Sequence, residues 1–170
     1  FTAPPREVIE NEITVFFNWF NTSYNDPQID PFIRAAIAHL WFVTLHPLED
    51  GNGRITRLIT DLALAQEHKE SIRFYAMSVA ILEDRKGYYE VLEATQRGDL
   101  CITQWVIWFI NTLNKAVEQS LKNIEQTVSK SNYWFTKDQT KLNEQQVKVL
   151  NKLLDGQFEQ GISASQYQKV

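Results

Sequence analysis

From Val106 to Val128, apolar residues recur every three or four positions, at Val106, Phe109, Ile110, Leu113, Val117, Leu121, Ile124 and Val128. That spacing lays a stripe along one face of an α-helix, and so long a stripe needs other elements to cover it. The rest of the chain keeps the same period. "PPREVIENEITVFFNWF" opens with prolines suited to a first helical turn and then places Ile9, Ile13, Phe16, Phe17 and Phe20 at helical spacing, which predicts a core-facing stripe. Asp30 before Pro31 marks a second start, with Ile33, Ile37, Leu40, Trp41 and Thr44 as the apolar face and Pro47 stopping the helix at His46. A third helix is expected from Gly53, burying Ile55, Leu58, Ile59 and Leu62. Ser78 can cap a short helix, "GYYEVLEATQ" forms another that "RGD" breaks, and Thr103 starts the longest. No strand-like run is longer than "IRFYAMS", so the expected class is all-α.

With 170 residues, 44% of them apolar, the chain can close one core of ordinary size and carry a small appendage. Periodicity lapses after "SKSN", which places a linker at residues 135–141 between a core of residues 1–134 and an appendage of residues 142–170. Within the appendage "NEQQVKVLNKLLDG" supplies an asparagine cap, a glutamine three residues later and Gly156 as a stop. A formal net charge of −4 argues against a general binder of nucleic-acid backbones, so any cationic site has to be local. One cysteine, Cys101, excludes an internal disulfide and fits a reducing compartment. No secretory signal is read at the start of this sequence, and "WVIWFI" is far too short to span a bilayer, so a cytoplasmic protein without membrane partners is expected. The chain begins with Phe1 and is read as a fragment or trimmed piece of a longer protein.

The densest chemistry lies in "HPLEDGNGRITR", His46 to Arg57. Gly51 and Gly53 can take positive φ just before a helix, so backbone N–H groups can converge where the helix dipole is positive, an arrangement suited to an anion. Arg54 and Arg57 sit three apart on one helical face beside that loop, and a guanidinium fork matches phosphate oxygens in shape and charge. Either Glu49 or Asp50 can supply an oxygen to a magnesium ion shared with nucleotide phosphates, or can simply cap the helix. His46 can accept a proton near neutral pH, although a histidine at a helix end is also a common cap. A metal site joining His39 to His46 is excluded, because seven helical residues separate them by about 10 Å. Cradle, arginines, carboxylate and imidazole together suit transfer of a phosphate-containing group from a magnesium nucleotide to a hydroxyl. The Walker pattern and the protein-kinase catalytic-loop pattern are both absent.

This segment resembles the Fic-family signature HxFx(D/E)GNGRxxR, with Leu48 standing where the family usually places phenylalanine. "FTAPP" with its amphipathic helix is similar to the segment after the family's substrate-positioning hairpin, and "DRKGYYEVLEATQRGD" resembles the family stretch before the last long helix. The resemblance thus covers residues 1–134 and implies a Fic-like helical bundle, truncated at its N-terminal hairpin, with the active loop between two central helices. "LNEQQVKVLNKLLDGQFEQGISASQYQKV" resembles the start of a winged-helix appendage that stops before a DNA-reading helix, which argues against nucleic acid as a partner of this segment.

By resemblance, His46 deprotonates a target hydroxyl and Asp50 holds Mg2+. Gly51, Asn52 and Gly53 form an anion hole, Arg54 and Arg57 hold the outer phosphates, and Tyr88, Tyr89 and Gln96 surround adenine. The implied reaction is AMPylation: a protein hydroxyl attacks the α-phosphorus of ATP and pyrophosphate leaves. Transfer of UMP or phosphocholine, removal of AMP, or a regulatory module that binds nucleotide without turnover are the alternatives. The implied partners are ATP and an unidentified target protein, with self-modification and a homodimer also open. The family's inhibitory motif (S/T)xxxE(G/N) does not occur; "TKLNEQ" comes nearest and ends in the wrong residue.

Overall fold

The computed structural model describes residues 4–68, 77–137, 141–158 and 161–168. Among the described residues there are eight helices, a 3-10 turn and no strand, so the chain is all-α as its periodicity requires. In order these are α1 (Arg6–Thr22), the turn Ser23–Asn25, α2 (Pro31–Leu45), α3 (Asn52–His68), α4 (Met77–Glu83), α5 (Arg85–Arg97), α6 (Thr103–Thr136), α7 (Glu144–Leu154) and α8 (Ala164–Gln168). Most of "IRFYAMS" lies outside the described residues; its last two, Met77 and Ser78, open α4, so Ser78 sits inside the helix rather than capping it. Two compact units, Phe1–Val117 and Glu118–Val170, divide the chain inside α6. Of the expected linker, Phe135 and Thr136 are helical, and residues 138–140 lie outside the described residues.

In the first unit α2 is the central element. Asp30 caps it by accepting from the N–H groups of Phe32 and Ile33, and Pro31 at the first helical position loses no bond it could have made. The buried face is not the expected one: Ala35, Ala36, Ala38, His39, Phe42 and Val43 are buried, whereas Ile33, Ile37, Leu40, Trp41 and Thr44 are exposed or half-buried. The reason is close packing. Alanines let neighbouring backbones approach, and the Trp105 indole of α6 reaches far enough to donate to Ala36 O at 2.8 Å. Phe16, Trp105 and Phe109 are fully buried around this helix, each contributing roughly 1.5–3 kcal/mol. Arg34 is buried as well, where its Nη2 donates to Phe20 O at 2.6 Å and its Nε to Ser23 Oγ at 2.9 Å, so the cation sits at the negative end of α1.

Two further stripes differ from expectation in the same way. Phe17 of α1 is 42% exposed, with Phe16 and Phe20 taking the core positions. On α3, Leu58 and Leu62 are 50% and 47% exposed, and the buried ridge is instead Asn52, Thr56, Ile59, Thr60, Ala63 and Leu64. Small and hydroxyl-bearing residues fit closely against α2, and their polar atoms are bonded within the ridge: Thr56 Oγ1 donates to Asn52 O and Thr60 Oγ1 to Thr56 O, each at 2.8 Å. Asp84 caps α5 by accepting from Gly87 N–H.

In the second unit, Asn143 and Gln146 form the reciprocal capping box expected for α7, and Gly156 takes positive φ of 76° just beyond its end. Trp134 Nε1 donates to Asn151 Oδ1 at 3.0 Å and Lys130 Nζ to Asp155 at 2.7 Å, fixing α7 against the end of α6.

Candidate active site

Pro47 has no N–H and crowds the residue before it, so α2 cannot run through His46. The helix closes with His46 in the left-handed region, φ 48° and ψ 51°, where its N–H still donates to Phe42 O at 3.2 Å. Glycine is the usual residue at such a cap, because a Cβ there is strained. The outcome is an imidazole on an exposed corner at the start of the loop.

The loop from Pro47 to Gly51 is braced by Asn52, which is 3% exposed. Its Nδ2 donates to Leu48 O at 2.5 Å and its Oδ1 accepts from Leu48 N–H at 2.9 Å, so one side chain satisfies both main-chain groups of a loop residue. Leu48 itself is exposed, so main-chain bonds place this loop and not a buried side chain at position 48. Gly51 has φ of 90°, and its carbonyl accepts the first intrahelical bond of α3, from Ile55 N–H at 3.0 Å. The N–H groups of Asn52, Gly53 and Arg54 therefore precede any possible intrahelical acceptor and stand at the positive end of a 17-residue helix. Gly51 N–H already donates to Asp50 Oδ1 at 2.7 Å. Asn52 thus presents its backbone N–H at the helix end, with its side chain turned into the loop.

Asp50 Oδ2 also accepts from Arg54 Nη2 at 2.8 Å, but the two side chains are 92% and 72% exposed, so this pair is readily exchanged for another partner. Among the described residues no three His, Cys, Asp or Glu side chains gather to hold a metal. Asp50 is a single hard-oxygen donor, which fits an ion shared with phosphate oxygens and water and does not fit an all-protein cage.

Arg57, on the next turn of α3, lines a cleft of about 440 Å³. Arg85, Tyr88 and Tyr89 line the same cleft, with apolar side chains of α4. The structure therefore brings three expected site residues, Arg57, Tyr88 and Tyr89, to one cavity and adds Arg85, which sequence reasoning did not single out. Arg85 lies four residues before Tyr89 on α5, with its guanidinium 5.7 Å from that ring's centre. Tyr88 is largely buried. Burial, and next the neighbouring Tyr89, push its phenol up to about 12, with Arg57 opposing. Behind it, His39 is pushed down to about 3 by complete burial and, secondarily, by the Arg57 cation, so it is neutral. Gln96 is placed elsewhere: its Nε2 donates to Thr44 Oγ1 at 2.9 Å, and it lines a separate, largely apolar cleft of about 430 Å³ beside Trp41 and Leu100. It does not join the tyrosines.

Residues 1–64 match the sequence model of the Fic/DOC family. The chain is 33% identical over 100 residues to protein adenylyltransferase fic-1 of Caenorhabditis elegans, covering 59% of this chain and 18% of that protein. It is 32% identical over 98 residues to protein adenylyltransferase Fic of Nematostella vectensis, covering 57% and 21%. It is 27% identical over 104 residues to a probable protein adenylyltransferase of Aquifex aeolicus, covering 61% and 29%. The matched stretch thus spans less than a third of each of these relatives.

Proposed function

We propose that the chain, whose residues 1–64 match the Fic/DOC family, transfers AMP from ATP to a hydroxyl side chain of a protein. The observation that most supports this is the juxtaposition at one helix end: first-turn N–H groups of α3, two arginines on that turn and the next, and an exposed imidazole where the preceding helix stops. Each part answers a demand of the reaction. Triphosphate oxygens accept from the Asn52, Gly53 and Arg54 N–H groups and from the Arg54 guanidinium. Arg57 and Arg85 give the neighbouring cleft its positive charge, and the Tyr88 and Tyr89 rings offer flat surfaces to a base.

His46 takes the proton of the target hydroxyl as the oxygen attacks the α-phosphorus. A new O–P bond forms, the bond from the α-phosphorus to the bridging oxygen breaks, and pyrophosphate leaves with that electron pair. Asp50 would hold Mg2+ together with phosphate oxygens, and the ion would neutralise charge on the leaving group. In this reading residues 1–134 perform the chemistry and residues 142–170 begin an appendage.

The chain incubated with ATP labelled at the α-phosphate and candidate target protein should label the target, and His46→Ala should not. Labelling of equal rate by both would remove His46 from the mechanism; intact mass of the product distinguishes AMP from any other transferred group.

A further inference from the structure

The core of the first unit holds one imidazole for which the reaction above has no use. His39 is 1% exposed and lies on α2, seven residues before His46. Its Nδ1 is 2.9 Å from Thr60 Oγ1 on α3 and its Nε2 is 3.3 Å from the Tyr88 hydroxyl on α5. Counting hydrogens fixes the tautomer. Thr60 Oγ1 has one hydrogen and donates it to Thr56 O at 2.8 Å, so toward His39 it can only accept. His39 Nδ1 therefore carries the hydrogen, Nε2 carries the lone pair, and the Tyr88 hydroxyl donates to it. The series continues down the buried ridge of α3: Thr56 Oγ1 donates to Asn52 O, and the Asn52 amide braces Leu48. One line of buried polar groups thus joins the wall of the Arg57 cleft to the loop that follows His46.

We propose that His39 is a positioning residue for nucleotide: by accepting from Tyr88 while donating to Thr60, it holds the Tyr88 ring as a cleft wall in fixed register with the first turns of α3. This rests on the nucleotide reading given above. Neighbouring rings limit where Tyr88 can move, with Tyr89, Trp108 and His39 at centroid distances of 5.1, 5.5 and 5.8 Å. Without an acceptor at His39 the buried hydroxyl must go unsatisfied or the ring must shift into the cleft. A protonated His39 would present a hydrogen to Tyr88 and reverse that bond; depression of its pKa to about 3 keeps the geometry constant at every physiological pH.

The test uses the whole chain, with ATP affinity from calorimetry and steady-state labelling. His39→Asn keeps a donor near Nδ1 but loses the acceptor for Tyr88, and Tyr88→Phe removes the other partner. Each should weaken ATP binding about 5- to 20-fold with kcat within about twofold, and the double variant should be no worse than either alone. His39→Gln, which can present an oxygen near Nε2, should stay within about threefold of the parent. Independently of any variant's folding, long-range nitrogen NMR of the parent chain should report an Nδ1–H, Nε2-unprotonated ring for His39. The opposite tautomer overturns the proposal. So does unchanged ATP affinity in both His39→Asn and Tyr88→Phe, including the case where only the folded yield drops, as expected for a residue that merely stabilises. A parent chain with the expected tautomer that binds no ATP at all would instead sink the nucleotide reading, and this inference with it.

Discussion

Replacing Asn52 by alanine separates the loop-bracing role of its side chain, seen in the structure, from the phosphate-binding role that the proposed reaction gives its backbone N–H. The side chain is 3% exposed and makes two hydrogen bonds to the main chain of Leu48, neither of which alanine can replace. A typical net worth of about 0.5–1.5 kcal/mol for each bond gives about 1–3 kcal/mol, and water can reach part of the exposed loop, which favours the lower half, about 1–2 kcal/mol. For a chain of this size each kcal/mol moves Tm by about 2–4 °C, so a fall of about 2–8 °C is expected by thermal denaturation without nucleotide. Asn52→Asp should do no better, because it keeps the acceptor for Leu48 N–H but sets a carboxylate oxygen against Leu48 O. With the loop loosened, His46 loses its anchorage on the C-terminal side, and a displacement near 1 Å is enough to lower kcat about 100-fold. The ATP affinity should change much less, since the Asn52 N–H remains. A Tm within about 1 °C of the parent, combined with a raised KM for ATP, would show that the side chain serves the phosphates and not the loop, and the reasoning would fail.

Asp50→Ala should leave Tm within about 1 °C, because its ion pair with Arg54 is exposed, yet abolish the response of labelling to added Mg2+; a normal Mg2+ titration would place the ion elsewhere. The lowered pKa of His39 makes stability depend on pH: the unfolded chain binds the extra proton, so stability rises with pH between about 3 and 6.5 and is level above. At pH 5.5 this costs roughly 1–1.5 kcal/mol relative to pH 7.5, and urea unfolding of His39→Gln should lack that increment; an identical pH dependence would contradict it. Trp105→Phe removes the bond to Ala36 O and leaves a gap beside α2, for an expected loss of about 1.5–3 kcal/mol measured by urea denaturation.

Helical period told where most helices lie and which residues punctuate them, since Asp30, Pro31, Pro47, Asn143 and Gly156 act locally through backbone geometry. Which face each helix buries was less legible. Leu58 and Leu62 outrank Thr56 and Thr60 in hydrophobicity, but α2 and α3 lie so close that small residues win the contact and the hydroxyls find carbonyls within their own helix. The loop motif carried the family resemblance through residue types at fixed spacing, and residues 1–64 match that family. It could not announce that Asn52 points inward, because the side-chain direction depends on where Leu48 presents its main chain. The same limit applies to Gln96, which a long arm and a nearby Thr44 hydroxyl settle outside the tyrosine cleft, and to His39, whose partners come from 21 and 49 residues away in sequence. Arg85 carried a weak signal in its spacing to Tyr89, one helical turn on.

The left-handed backbone at His46 puts conformational ease and chemistry in opposition at a single position. Glycine there would relieve about 1–2 kcal/mol of local strain, so the sturdier protein is the one without the imidazole that the proposed reaction uses. A library sorted only for survival at high temperature should drift toward glycine at this site and return inert molecules. Hardening this scaffold without silencing it means recruiting changes elsewhere, and the half-bare leucines at positions 58 and 62 are the natural place to begin.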